Sequence, residues 1–309
     1  MNTSLDPRAD SRRGVLLILL AAMLWGTVGI TTKSIYGLAE TNALSIGFFR
    51  LAIATPALLV ACWRALGRRA LRIAPRDLAL MALIGMALAF YQVCYFAAIA
   101  RVGVAIAVLV TLCTAPVMIA LLSALLLRER MSRAVVLALA CALAGTVMLV
   151  WTGPGGAVPR DTLAGVLLAL GSALGYSVVA LCSRGLAGRY HPLQPITVGF
   201  AAGALMLLPF ALATGLAVSY PTDGWLLLLY LGLVPSALAY VLFLGGIRHT
   251  TATVASIVTL AEPLTSTMLA WLLFGERLGP LGLFGAALLL GAIGLLYHGE
   301  SRRAQLATA

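Results

Sequence analysis

Two charged side chains lie deep inside long apolar runs of the 309-residue sequence. Glu262 stands halfway along the run ASIVTLAEPLTSTMLAWLLFGER, which starts at Ala255, and Arg50 lies within a second run over 43–63. A charge inserted into a bilayer costs at least about 2.5–3.5 kcal/mol, so each needs a partner or a water-filled cavity. A carboxylate in such a place can receive an amine or carry a proton, and a guanidinium can receive a carboxylate.

Arg50 and Glu262 are expected at similar depths. Along helices, Arg50 would lie roughly 11 Å from one end of its run and Glu262 roughly 17 Å from the opposite face, within an apolar layer about 30 Å thick. Three interpretations stay open. The two charges form a permanent ion pair that fixes the packing, they line an aqueous cavity for a zwitterion or a cycling proton on Glu262, or Glu262 is neutral and hydrogen-bonded.

Other candidates for a ligand cavity are aromatic or polar residues within the apolar runs. Each has a simpler interpretation as core, as interface belt or as a hydrogen bond between helices. Around Glu262 the helical face is small and polar, with Thr251, Ala255, Thr259, Thr265 and Ser266. Pro116 and Pro263 predict kinks. The remaining candidates are Trp25, Tyr91, Gln92, Tyr95, Thr111, Thr114, Tyr176, Ser177, Ser236 and Tyr240.

Composition identifies the elements that must position these residues. The chain is 62% hydrophobic and 10% charged, with a mean hydropathy of +1.04, whereas soluble domains carry about 25% charged residues. The strict alternation of a membrane β-barrel is absent from the sequence. The pattern predicts an all-α polytopic membrane protein with ten transmembrane helices, near 15–33, 43–63, 78–98, 104–126, 134–151, 162–182, 194–214, 225–246, 252–273 and 280–297.

The net charge of +11 reports membrane topology and does not indicate a nucleic-acid partner. With a cytoplasmic N-terminus, the inner segments would hold sixteen arginines. The outer segments would hold four basic residues, Lys33, Arg101, Arg160 and Arg277. This asymmetry predicts a bacterial-type inner membrane protein with both termini in the cytoplasm.

The chain also repeats itself. The stretch 101–150 aligns without gaps on 248–297, so that Arg101 matches Arg248, Pro116 matches Pro263, and Glu129-Arg130 matches Glu276-Arg277. Farther upstream, GVLLILLAAMLWG resembles GVLLALGSALGYS, and Lys33 matches Arg184. We favour a role in fixing helix ends over gating for the two Glu-Arg pairs, with the adjacent arginine or a loop amide compensating the carboxylate.

Five helices per copy is an odd number, so the second copy must enter the membrane from the opposite side, as in transporters with inverted repeats around a central cavity. The fifth and tenth helices lack polar candidates and are expected to be scaffold or a self-association surface. The predicted organisation is a tail over 1–13, a first repeat over 14–151, an outer linker over 152–161, a second repeat over 162–297 and a tail over 298–309.

Trp25-Gly26 in the first helix, Arg50 in the second, and a proline-bearing helix closed by Glu-Arg in each half resemble the drug/metabolite transporter superfamily, EamA type. The resemblance covers about residues 13–297. It implies a ten-helix carrier of small metabolites, often an exporter of amino acids, and the YddG-like aromatic amino-acid exporters are the branch we associate with it. Ala115 stands where the second copy has Glu262, so any coupling role of Glu262 is asymmetric.

Other classes find little support in the sequence. No Ser/His, paired-Asp or HExxH arrangement of an intramembrane enzyme lies within the runs, and GxxxxGK[ST] is absent. Neither CxxC spacing among the five cysteines nor clustering of His191, His249 and His298 suggests a metal or cofactor. We therefore expect an exporter of small amphipathic metabolites, with a drug carrier or a channel-like facilitator as alternatives. Its partners would be the substrate and the lipid bilayer, and a monomer is compatible with the sequence.

Overall fold

The structure is a computed structural model that describes residues 7–126, 133–150, 159–250 and 252–308. Every regular element in these ranges is helical, and the helices follow one another through short connections. We number them as ten units. These are α1 (Pro7–Gly26 and Val28–Leu38), α2 (Ala43–Leu66), α3 and α4 (the two arms of Pro75–Leu126), α5 (Arg133–Val150), α6 (Arg160–Leu186), α7 (Leu193–Ala213), α8 (Thr222–Gly232, Leu233–Leu238 and Ala239–Gly246), α9 (Ala252–Thr259 and Ala261–Phe274) and α10 (Pro280–Thr308).

The outside of this bundle is apolar. Leu205 and Phe210 on α7 are 71% and 63% exposed, a surface that suits lipid and not water. Within the described ranges, seven segments are long and apolar enough to cross a membrane, with α3 and α4 counted together. Two shorter apolar helices, Val136–Leu149 and Pro280–Leu295, lie in α5 and α10. The predicted class, an all-helical polytopic membrane protein, is confirmed at this level.

A tight turn at Gly103 separates α3 from α4. Its backbone angles, φ 77° and ψ 176°, lie in a region that is open to glycine and costly for other residues. The predicted spans 78–98 and 104–126 therefore correspond to two helices that double back on each other, with hardly any loop between them.

Three units that the sequence pattern predicted as continuous are interrupted. Thr27 breaks α1, a π-helical turn occupies Leu233–Leu238 in α8, and Leu260 breaks α9. The break in α9 lies three residues before Pro263, whose ring crowds the preceding turn and which has no N–H to donate. Around Pro116 the backbone keeps helical angles, and Gly103 is the non-helical residue within Pro75–Leu126.

Helices of the two halves pack against each other throughout the bundle. Along its length α6 lies against the α3–α4 hairpin, α1 packs on α8 and α9, α2 packs on α7, and α5 packs on α10 at Gly145 and Gly285. The bundle end where α1 begins is called the N-terminal face, and the opposite end the far face. The helix of α10 runs on to Thr308, past the predicted end of the tenth span.

Several sequence predictions fall outside the described residues. Glu129 and Arg130, which match Glu276 and Arg277 in the repeat, are among them, and so is Thr251 of the polar stripe. Most of the predicted linker over 152–161 also lies outside the described ranges.

Candidate functional site

Arg50 projects from α2 into the interior and is only 5% exposed. Its Nε donates a hydrogen bond of 2.8 Å to the Ser236 hydroxyl on α8, and its guanidinium carbon lies 5.8 Å from the centroid of the Phe96 ring on α3. Ser236 in turn donates to the Leu231 carbonyl at 2.8 Å, five residues back. The π-helical turn makes this five-residue reach available, so a backbone irregularity fixes the hydroxyl that holds Arg50.

Two polar atoms beside this contact have no hydrogen-bond partner within the described part of the chain. These are Nη1 of Arg50 and the side-chain oxygen Oε1 of Gln92, and Gln92 is 1% exposed. Gln92 lies one helical turn before Phe96, hence on the face of α3 that meets Arg50. Buried polar atoms without partners are rare in folded proteins, so a free donor and a free acceptor here fit a site that awaits a polar ligand.

Glu262 opens the second part of α9 and is partly buried. The ion pairs formed by the described residues are Lys33–Glu276 and Arg189–Asp77, so Arg50 and Glu262 are not in salt-bridge contact. They nevertheless lie close enough to interact electrostatically with each other and with Tyr91, Tyr95 and Tyr240. The two charges thus influence each other and are not bonded in this structure, and the choice among the three interpretations stays a prediction.

Aromatic rings surround the two charges. Trp25 and Tyr240 meet edge-on with centroids 5.4 Å apart, which joins α1 to α8. On the other side Tyr91 stacks on Tyr95 at 6.0 Å and meets Tyr176 at 5.7 Å, which joins α3 to α6. The arrangement offers large flat apolar surfaces next to charged groups, which suits an amphipathic molecule with an apolar body.

Three of the predicted cavity residues serve helix packing instead. Thr111 donates to the Ala169 carbonyl at 3.2 Å, and Ser177 donates to the Ala115 carbonyl at 3.2 Å, so both connect α4 with α6. Thr114 donates to Val110 within its own helix. These hydroxyls fit the alternative interpretation as hydrogen bonds within and between helices.

Thr259 and Thr265 lie on α9, three residues before and three residues after Glu262. Thr265 and the Glu262 carbonyl lie against Gly26, where the Cβ of any other residue would come within 2.9 Å of them, so α1 and α9 touch beside Trp25. Thr259 is partly buried, ends the first part of α9 and has a contact of its own. Among the described residues, no group of three or more His, Cys, Asp or Glu side chains could hold a metal ion.

A polar cluster at the far face was only partly foreseen. Glu276 accepts hydrogen bonds from Lys33 at 2.6 Å and from the backbone amides of Val104 and Ala105 at 3.0 and 2.8 Å. The loop amide expected to compensate this carboxylate is therefore present, on α4. Its charge partner is Lys33 on α1 and not the adjacent Arg277, which is exposed.

A second cluster, at the N-terminal face, escaped the sequence analysis. The Asp77 carboxylate, at the start of α3, receives Arg189 at 2.7 Å and the Tyr190 hydroxyl at 2.6 Å. Tyr190 also accepts from the Ala74 amide at 3.0 Å. An acidic residue in the first turn of a helix was the available signal, but nothing in the sequence pointed to its partners in the α6–α7 connection.

Known proteins share this architecture over nearly the whole chain. The transporter YwfM of Bacillus subtilis is 31% identical over 292 residues, covering 94% of this chain and 95% of YwfM. A Streptantibioticus cattleyicolor protein named "Probable terminal-alkyne amino-acid exporter" is 29% identical, covering 92% of this chain and 93% of its own length. One solved crystal structure matches with a TM-score of 0.64 and 25% identity over 94% of this chain and 98% of its own.

The family comparison agrees with the internal repeat. The model of the EamA-like transporter family matches twice, over residues 12–151 and 163–298, one match for each predicted repeat. These matches confirm the predicted EamA type and the prediction of a non-enzymatic protein, while they do not single out the YddG-like branch. The chain is a multi-pass membrane protein and belongs to the EamA-like transporter family.

Proposed function

We propose that this protein is a secondary carrier that exports small amphipathic metabolites, above all amino acids including aromatic ones, by alternating access. The Arg50 guanidinium receives the substrate carboxylate and the Glu262 carboxylate receives its amine. The rings of Trp25, Tyr91 and Tyr240 hold the apolar body between the two halves.

The proposal includes ten membrane-spanning helices arranged as two inverted five-helix repeats. Exchanging the two halves turns the α1–α8 contact into an α6–α3 contact, and both contacts are present. The same exchange maps α2–α7 and α5–α10 onto themselves. This pattern supports a twofold relation between halves that can rock around a central site. The arginine-rich segments support an inner-membrane orientation with both termini in the cytoplasm and the far face outside.

The observation that carries the proposal is the state of the two buried charges. Arg50 is held by Ser236 through Nε and keeps Nη1 free, and Glu262 is near it without an ion pair. A permanent ion pair would consume both charges, whereas this arrangement leaves a donor for a carboxylate and an acceptor for an amine. The name of the Streptantibioticus relative, which includes amino-acid export, supports the substrate class.

Counterflow in liposomes tests the proposal. The purified protein would be challenged with a labelled aromatic amino acid, with the amine that lacks its carboxylate and with the acid that lacks its amine. The proposed site predicts uptake of the zwitterion and weak uptake of either half-molecule. Equal uptake of a cationic drug and the zwitterion would favour a drug carrier, and uptake without counterflow enhancement would favour a channel-like facilitator.

Two pairs of variants make the test specific to the site. Arg50→Gln is matched by Arg277→Gln, which neutralises an exposed arginine, and Glu262→Gln is matched by Glu40→Gln at an exposed position. The site variants are expected to lower zwitterion counterflow by about tenfold or more, while the controls keep the parental rate. Parental counterflow in both site variants would refute the assignment.

A further inference from the structure

A charged contact between the halves lies at the far face, away from the proposed substrate site. Lys33 comes from α1, the amides of Val104 and Ala105 come from the start of α4, and Glu276 follows α9. The Lys33 ammonium also lies 4.6 Å from the centroid of the Phe274 ring. One carboxylate therefore joins the ends of three helices, two from the first repeat and one from the second.

The chain is shaped to deliver the carboxylate to this place. Gly275 adopts a left-handed conformation, φ 64° and ψ 20°, directly after α9. The Gly275 amide bonds back to the Trp271 carbonyl at 3.0 Å, the bond of an αL helix end, and the Glu276 amide bonds to the Ala270 carbonyl at 3.2 Å. This motif ends α9 and turns Glu276 toward the first turn of α4.

The turn at Gly103 and the start of α4 also leave room for the carboxylate. At Gly103 a Cβ would lie 2.9 Å from Oε1 of Glu276, so glycine leaves the space that the carboxylate occupies. The first amides of α4 have no partners within their own helix, and the positive end of the helix dipole favours an anion. The Lys33 and Glu276 side chains are 33% and 16% exposed. Because this ion pair is partly withdrawn from water, removing one partner leaves the other charge unpaired and weakens the contact between the helices.

The contact lies beyond the substrate site along one continuous helix seam. Ser266 stands one turn past Glu262 on α9, is 1% exposed, and has its hydroxyl 3.6 Å from the place where Gly29 of α1 would carry a Cβ. The α1–α9 seam thus runs from Glu262 to Glu276. Separation of the seam at the far end would open a path from that face to the site.

We propose that Lys33, Glu276 and the amides of Val104 and Ala105 form a latch that closes the far end of the transport pathway. Glu276 is the positioning residue, because its carboxylate accepts hydrogen bonds from both α1 and α4. The latch forms when the site faces the cytoplasm and breaks when the site faces outside. This inference rests on the alternating access of the proposed function, and its test needs no substrate.

The test is a labelling experiment on a cysteine at position 266. The reporter substitution is Ser266→Cys, in a chain whose five native cysteines are replaced by alanine. A membrane-impermeant maleimide is applied outside intact cells and, separately, to inside-out vesicles. Glu276→Gln and Lys33→Gln are each compared with Arg277→Gln, which neutralises the neighbouring exposed charge, and with Asp77→Asn, which breaks the ion pair of the opposite face.

The latch predicts that Glu276→Gln and Lys33→Gln each raise the outside labelling rate by about tenfold and lower the rate in inside-out vesicles. Neither control should raise outside labelling. Outside labelling at the parental rate in both latch variants would overturn the proposal. A rise from both sides would also overturn it, since that result reports general loosening. The labelling rate is measured without substrate, so it can support the latch even if zwitterion counterflow fails. The substrate site and the latch can therefore be refuted separately.

Discussion

Arg50 and Ser236, 186 residues apart in the sequence, are joined by a buried hydrogen bond of 2.8 Å. The bond fixes one nitrogen of the guanidinium on α8, and Nη1 has no partner among the described residues. Ser236 therefore sets the position of the guanidinium that, in the proposed function, receives the substrate carboxylate.

Ser236→Ala should weaken substrate binding. The variant leaves the buried Nε of Arg50 without its acceptor, and such a loss typically costs about 1–3 kcal/mol. We expect a KM raised about tenfold with a smaller change in kcat, measured by counterflow. Ser183→Ala, at a partly buried serine near the end of α6, is the control. An unchanged KM in Ser236→Ala would contradict the positioning role.

Arg50→Ala and Glu262→Gln should be only weakly coupled in their effect on stability. Because these residues interact electrostatically but form no ion pair in the structure, the double variant should lose nearly the sum of the two single losses in detergent thermostability. The coupling free energy from the double-mutant cycle should be about 0.5 kcal/mol, the low end for neighbouring residues. A double variant that recovers part of the loss would show that the two side chains do form a stable pair.

Glu262 is the candidate for proton coupling. If it cycles a proton, Glu262→Gln should abolish uptake driven by a pH gradient in inverted vesicles, because an amide cannot titrate, while the weakened substrate exchange of this variant stays measurable. Glu40→Gln should keep both processes. Survival of gradient-driven uptake at the parental rate would exclude the proton role.

Gly103→Ala should destabilise the protein through two effects. An alanine at this position would have to adopt φ 77°, and its Cβ would lie 2.9 Å from Oε1 of Glu276. A strained φ alone costs about 1–3 kcal/mol. Gly188→Ala is the matched control, since Gly188 has φ 78° with nothing within 4 Å of its Cβ position. Thermal unfolding in detergent should show a larger loss for Gly103→Ala, and equal losses would mean that Glu276 tolerates the methyl group.

The N-terminal face should carry a pH-dependent contact. Burial, and secondly the neighbouring Arg248, lower the pKa of His191 from its ordinary value. The unfolded chain then binds the proton more readily, so the contribution of His191 to stability is present at higher pH and is lost as pH falls through the ordinary range of histidine. Thermal unfolding between pH 8 and pH 5.5 should depend less on pH in His191→Gln than in the parental protein. An identical slope would exclude this contribution.

The sequence allowed most of the architecture to be predicted, because runs of about 20 apolar residues have few alternatives in a bilayer. It also identified Arg50 and Glu262, since charges within such runs stand out and helical rise gives their depth. The choice of Ser236 as the Arg50 partner could not be predicted. It depends on the π-helical turn in α8. Pro235 within that turn signals a departure from regular α-helix but does not say which irregularity forms.

The far-face cluster shows what a pattern of residue types leaves undetermined. The repeated Glu-Arg pair drew attention to Glu276, and its neighbour Arg277 was the nearest cation in the sequence. Gly275, one position before Glu276, is the residue that decides which groups Glu276 can reach. A left-handed residue at this position turns the chain sharply, so the partners of Glu276 lie on other helices.

The π-helical turn at Leu233–Leu238 also holds one residue more than an α-helical turn would. The extra residue is absorbed inside the turn, so the second part of α8 continues in the direction that lets Tyr240 meet Trp25 edge-on. Removal of one residue within the turn should therefore return this stretch to a regular α-helix with Tyr240 near its present place, and should break the five-residue bond from Ser236 to Leu231. Removal of one residue before the turn should instead rotate everything after it by about 100° and turn Tyr240 away from Trp25.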